Sequence, residues 1–356
     1  MAGHVLDHGR FAGAREAARA VAADPDAALE VLPELTADVP MPGAGGTGDY
    51  LAVLAGLGAG DLTVARVVEP HLDAMAILEQ AGLDPRGPLG LDPVQRRATA
   101  TTRPGNRSWG VFAAEGPGVR LTAAADSSGW TLSGTKPWCS LADRLSHAVV
   151  TAHTGPDTRR AFAVNLRHPG VRADAVPWVS RGLAEVVSGP VAFEDVPAVP
   201  VGEDDWYLTR PGFAWGGIGV AAVWYGAACA LADRLRTATG ARTPDQVALA
   251  HLGATDAALY AAGCVLQDAA AAIDAGRATG QDGSILAVRV RSVCAAVAED
   301  VLTRVGHALG PAPLTFDEEH ARRVADLTVY VRQHHAERDL ARLGDLVLGM
   351  APAGDR

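Results

Sequence analysis

Residues 212–232, GFAWGGIGVAAVWYGAACALA, carry no charge over a length that would cross a bilayer or bury itself inside a protein. Composition decides between the two. Gly and Ala outnumber Leu, Ile and Phe, so the hydropathy is weak for a membrane span, while small side chains let neighbouring backbones approach closely. The run is expected to be a packed helix of a helical bundle, and no membrane span is expected.

Charge and cysteine usage narrow the partners. The chain of 356 residues has 31 Lys and Arg against 41 Asp and Glu, a net charge of −10. No basic field is available to displace counterions from a phosphate backbone, which argues against nucleic acid. Cys139, Cys229, Cys264 and Cys294 form no CxxC pair. That pattern argues against zinc, no metal site is expected, and reduced thiols fit a cytoplasmic location. The first residues, MAGHVLDHGRF, hold no apolar signal region.

The hydrophobic period changes twice along the chain. Leu62, Ala65, Val68, Leu72, Met75 and Leu78 recur at helical spacing, with Asp61 placed as an N-cap and Gly82 just past the end. Residues 40–48 and 84–93 read as loops. From Trp109 to about Val201 apolar residues alternate, as in Trp130 and Leu132, Phe162 and Val164, and Val191 and Phe193. Turns at 127–129 and 168–170 separate these stretches. After Pro211 the helical period returns, with Val290, Val293, Val297, Val301 and Val305 three or four apart and breaks expected at 280–284 and 310–313. The expected fold is α+β: an N-terminal helical domain (1–108), a middle antiparallel β-barrel-like domain (109–208) and a C-terminal four-helix bundle (209–356).

Several strings carry a more specific likeness. GWTLSGTKPWCS at residues 129–140, VAFEDV at 191–196 followed by Gly202, and Thr209-Arg210-Pro211 leading into the small-residue helix resemble the acyl-CoA dehydrogenase flavoproteins. Gly134, Lys136, Trp138 and Ser140 match in register, and residues 56–82 resemble an early helix that walls the family's active site. The resemblance implies FAD as cofactor. Trp138 would lie against the flavin, Cys139 and Ser140 would supply polar partners, and Phe112 and Ala114 would fall in the flavin loop. Arg236 would meet the FAD pyrophosphate across a subunit interface, which implies a homodimer or homotetramer. Arg210 would lie near the entrance for the substrate's pantetheine or nucleotide end.

The likeness also breaks in places. The flavin loop reads Phe112-Ala113-Ala114-Glu115-Gly116-Pro117-Gly118, so side-chain hydroxyls are missing. In much of the family the base is a Glu nine residues before an Asp; with Asp326 standing for that Asp, the resemblance implies Asp317 as the catalytic base, or Glu318 if the register shifts by one, with helix capping as the competing reading. The closing helix reads Arg332-Gln333-His334-His335, where the family has y-E-G-T. The leading expectation is FAD-dependent α,β-dehydrogenation of an acyl thioester, as acyl-CoA or on a carrier protein. An electron-transfer flavoprotein or oxygen would reoxidise the flavin. A flavin-dependent monooxygenase of the same fold and a non-catalytic assembly subunit are the alternatives.

Overall fold

The computed structural model describes residues 6, 8–87, 89, 107–127 and 129–349, so Ser128 and, of the 84–93 loop, residues 88 and 90–93 lie outside the described residues. The chain begins with α1 (His8–Ala20), α2 (Pro25–Glu30), α3 (Leu32–Thr36), α4 (Thr47–Gly60) and α5 (Leu62–Gln80). The caps of α5 are those the sequence implies. Asp61 accepts a hydrogen bond from the Val64 amide at 3.0 Å, and Gly82, at φ +73°, takes the left-handed conformation that ends a helix without a Cβ penalty.

The middle segment comprises β1 (Trp109–Phe112), β2 (Leu121–Asp126), β3 (Gly129–Ser140), β4 (His147–His153), β5 (Arg159–Asn165), β6 (Val171–Ala173) and β7 (Ser188–Val201). Strands β4, β2, β3, β7 and β5 pair in that order, and β5 returns to β4, closing a five-strand barrel flanked by β1 and β6. Pairing is antiparallel except where β4 runs parallel to β1 and β2. The alternating residues Leu132, Val150, Phe162, Val164, Val191 and Phe193 enter the core.

Helices α6 (Trp206–Thr209), α7 (Pro211–Gly240), α8 (Gln246–Asp274), α9 (Gly280–Leu309), α10 (Ala312–Phe316), α11 (Glu318–Tyr330) and α12 (Glu337–Gly349) follow, with a 3-10 turn at Val331–Gln333. The first expected break is displaced: the chain turns at Gly276, φ +70°, and α9 already begins at Gly280 and runs through Ser284. The bundle also recruits an N-terminal helix, since α4 packs along α7 together with α8 and α9. This contact explains the uncharged run. A methyl at Gly226 would collide with the Ala55 carbonyl oxygen, and one at Gly58 with the Val223 carbonyl oxygen, so α4 and α7 meet backbone to backbone. Helices α7 and α8 are long and apolar enough to cross a bilayer, but most of the apolar stretch of α7 is enclosed within the protein.

Candidate functional site

The end of β3 presents an indole outward from an otherwise packed strand. Its ladder with β7 slips between Lys136 and Cys139, and Trp138 within that bulge adopts φ +58°, a conformation that costs energy for a residue with a Cβ. The consequence is exposure. Trp138 is 63% exposed, whereas Lys136 and Cys139 on either side of the bulge are each 1% exposed. The strand is pinned from within by Lys136, whose Nζ donates to Glu115 Oε1 at 2.7 Å and Thr151 Oγ1 at 2.8 Å. His153 and Arg159 also contact Glu115, which ties the loop following β1 to the barrel wall. Burial alone would raise the Glu115 carboxyl, but its bonds to Lys136 and His153 prevail and hold it below its ordinary value.

Beside the bulge, a polar chain crosses from barrel to helices. Arg66 Nη2 on α5 donates to Ser140 Oγ at 3.4 Å, and Ser140 Oγ lies 2.7 Å from Ser188 Oγ on β7. Ser188 Oγ donates in turn to the Val186 carbonyl at 3.1 Å, so the pair is polarised with Ser140 as donor to Ser188. On its other side Arg66 Nη1 donates to Glu69 Oε2 at 2.7 Å, and the Tyr330 hydroxyl donates to the same oxygen at 3.3 Å. Arg66 also lies over the Tyr330 ring, 5.1 Å from its centroid. Glu69 is 6% exposed, and burial pushes its carboxyl up to about 7 against the pull of Arg66. It is a carboxyl poised near neutrality. Asp73, one turn further along α5, is also raised by burial and opposed by Arg210.

The sequence-derived residues fall into separate groups. Trp138, Cys139 and Ser140 lie together at the bulge. Burial pushes the Cys139 thiol up to about 12, so it stays protonated and its polar contribution is the backbone. Phe112 is buried in the core, which leaves only its main chain for a ligand, and Ala114 is exposed in the loop beyond it. Arg210 caps the start of α7 and is 4% exposed. It donates to Gln80 at 2.8 Å, pairs with Asp73 at 3.5 Å, and stands over the rings of Trp206 and Tyr207.

Asp317 and Arg236 form a second group at the far end of the helices. They line a cavity of about 510 Å³ together with Arg15, Arg234 and Arg323. Asp317 is the N-cap of α11, accepting from the His320 amide at 3.1 Å, and pairs with Arg234 Nε at 3.3 Å. Tyr330, which touches the Glu69 cluster, ends the same helix. At 1.5 Å per residue the two are about 20 Å apart, so Asp317 cannot reach the Ser140 end within one chain.

His334 lies past that end. Its Nδ1 accepts from the Ala336 amide at 3.3 Å, which places the proton on Nε2, 3.1 Å from Ser292 Oγ. Burial lowers its pKa, so the ring is neutral at physiological pH, while His335 is exposed. Among the described residues no group of three or more His, Cys, Asp or Glu is arranged to hold a metal.

Sequence reasoning missed Arg66, Glu69, Ser188 and Tyr330. The signal available was Arg66, Glu69 and Asp73 at intervals of three and four along α5, interleaved with its apolar face. The arrangement fits a flavin. A planar ring needs an aromatic face and fixed polar atoms at its edge, and the Trp138 indole beside the Ser140 hydroxyl and the backbone of Cys139 supplies both.

No family model and no curated protein matches the chain. Solved structures do. KijD3, in complex with FMN and dTDP-3-amino-2,3,6-trideoxy-4-keto-3-methyl-D-glucose, is 21% identical over 99% of this chain and 95% of its own, with a TM-score of 0.75. Butyryl-CoA dehydrogenase from Megasphaera elsdenii is 18% identical over 96% of each chain, with a TM-score of 0.73. Dibenzothiophene monooxygenase from a Paenibacillus species, solved with FMN bound, is 17% identical over 98% of this chain and 96% of its own, with a TM-score of 0.72. The chain has the fold of the acyl-CoA dehydrogenase flavoproteins, at low identity to each of them.

Proposed function

We propose that the protein is a flavin-dependent oxidoreductase that holds its cofactor ring at the Trp138 bulge and removes a substrate proton with Glu69. The observation that carries this reading is the outward indole of Trp138 beside the Arg66–Ser140–Ser188 chain, with Glu69 one hydrogen bond behind. A bound flavin would supply a two-electron acceptor. The chain's own residues do the rest. The bulge orients the ring, the Ser140 hydroxyl and the Cys139 backbone fix its edge, and the half-buried Arg66 places positive charge beside it.

The reaction that fits best is α,β-dehydrogenation of an acyl thioester. Removing a proton next to a thioester carbonyl needs a carboxylate with a pKa near the working pH, which burial gives Glu69. Asp317, a helix length away and committed to capping and to Arg234, is less suited to that role. The charged and phenolic groups between α5 and α11 favour a short or polar acyl group over a long alkyl chain. FAD rather than FMN is supported by Arg236, whose arginine-lined cavity matches a diphosphate brought by a second copy of the chain. The exposed Val247, Leu249 and Tyr260 on α8 suit burial in such an assembly.

Purified full-length protein should be yellow, release FAD on heating, and bleach anaerobically with an acyl thioester. Yellow protein that no thioester in a panel of short and polar acyl groups bleaches would sink the dehydrogenase reading. Colourless protein that binds no added flavin would sink the flavin reading and leave an assembly role. A second reaction, oxygen-dependent monooxygenation, is favoured by the neutral His334 held by Ser292 near the Tyr330 end. It is tested by incorporation of labelled oxygen into product, and no incorporation eliminates it.

A further inference from the structure

A cavity of about 490 Å³ opens where α2, α3 and α5 meet the start of β1, within the usual size of a small-molecule site. Its lining shares no residue with the Trp138 bulge or the Glu69 cluster. Four arginines, Arg86, Arg107, Arg144 and Arg167, line it, and Glu30 is the one carboxylate in the wall among the described residues. Arg86 and Arg167 are exposed and Arg107 and Arg144 half-buried, so the excess gives the cavity a positive field that attracts anions.

Among the described residues, the existing partners leave much of that charge uncompensated. Arg107 donates to the Gly87 carbonyl at 2.5 Å and the Pro85 carbonyl at 3.4 Å, and Arg167 donates to the Arg144 carbonyl at 2.9 Å, which are neutral acceptors. Among the described residues Arg144 alone of the four has a carboxylate partner, Asp26 at 2.8 Å. Trp109 also lines the cavity and is 1% exposed, and among the described residues its Nε1–H has no acceptor. Ser108 and Ser146 line it too, with their hydroxyls engaged inside the wall: Ser108 Oγ donates to Ser146 Oγ at 3.4 Å, and Ser146 Oγ donates to the Ser108 carbonyl at 3.0 Å. Two buried histidines register the field. His71 and His147 are lowered to about 4, first by burial and then by Arg86 in one case and by Arg107 and Arg167 in the other.

We propose that this cavity binds a phosphorylated organic molecule, with its phosphate groups gripped by Arg86, Arg107, Arg144 and Arg167. Planar guanidinium donors match phosphate oxygens in pairs, and an anion there neutralises the like charges. The size accommodates more than a bare phosphate, so a nucleotide or a similarly sized phosphate ester is the occupant that fills it.

The test is isothermal titration calorimetry on the full chain at low salt, with ADP and inorganic pyrophosphate as probes. Saturable binding of ADP is expected, weakened about tenfold or more in an Arg86→Gln/Arg167→Gln double variant whose Tm without ligand is unchanged. Should the double variant fail to fold, Arg86→Gln alone serves, since Arg86 is exposed and its removal spares the packing. Arg236→Gln separates this cavity from the diphosphate role proposed for Arg236, and ADP affinity should be indifferent to it. Binding of pyrophosphate without ADP would retain the phosphate chemistry but overturn the nucleotide-sized occupant. No binding of either probe, equal affinity in the double variant, or loss of binding in Arg236→Gln would overturn the proposal altogether.

Discussion

The two ends of α11 hold the same kinds of side chain in opposite dielectric settings. At its start Asp317 meets Arg234 in a half-exposed ion cluster, with both side chains more than a third accessible. At its end Tyr330 closes over Arg66 and Glu69, where the side chains are 11% and 8% accessible. Exposure decides what a carboxylate can do. In water the pair at Asp317 is screened and contributes little beyond capping the helix. Out of water the same chemistry gives a carboxyl raised to about 7, able to take or give a proton at neutral pH.

The comparison breaks most visibly if each acid is removed. Glu69→Ala leaves the Arg66 guanidinium and the Tyr330 hydroxyl without their acceptor and opens a hole, and should cost about 3–5 kcal/mol in denaturant unfolding. A loss below about 1 kcal/mol would show that the cluster is wetter than its burial implies. Glu69→Gln keeps the shape and one acceptor, so it isolates titration. A carboxyl raised from 4.5 to about 7 binds more protons folded than unfolded, so its contribution to stability is fully present below pH 4.5 and disappears as pH rises through 7. Relative to the Gln variant, wild type should lose about 3 kcal/mol across that window. Asp326, raised to about 6, slopes the same way, and His71 and His147, lowered to about 4, slope the other way. All three cancel in the difference between the two proteins.

The barrel and the Trp138 end of the candidate site were legible because their signals are local. Alternation, a helix cap at Asp61 and a short string at 129–140 each speak for their own neighbourhood. Glu69 was not legible. Arg66, Glu69 and Asp73 make a charged stripe that in isolation reads as the solvated face of an amphipathic helix, and only the barrel on one side and α11 on the other remove it from water. The likeness that points to Asp317 rests on a count along the chain, which carries no information about which end of a helix faces the bulge. The break expected at 280–284 failed for a related reason. Gly and Ser there are compatible with a helix start, and the turn was placed by Gly276 instead.

Activity sharpens the same contrast by a smaller margin than stability. If Glu69 moves the proton, Glu69→Gln should lower turnover about 100-fold, and wild-type kcat should rise with pH through about 7. The ascending limb should vanish in the variant while flavin content is retained. A loss of turnover with the pH profile intact would make Glu69 a positioning residue for Arg66 and Ser140.

The smallest effect belongs to the exposed end. Asp317→Ala removes the side-chain bond to the His320 amide and the pairing with Arg234, and should cost about 1 kcal/mol of stability, the usual worth of a helix cap. Asn at this position retains the cap without the charge, so Asp317→Asn should recover most of that loss, and turnover should change by less than about twofold in either variant. A drop in turnover comparable to that of Glu69→Gln would reverse the assignment, because a group about 20 Å from the Tyr330 end reaches the chemistry only if a second copy of the chain brings its own Asp317 there.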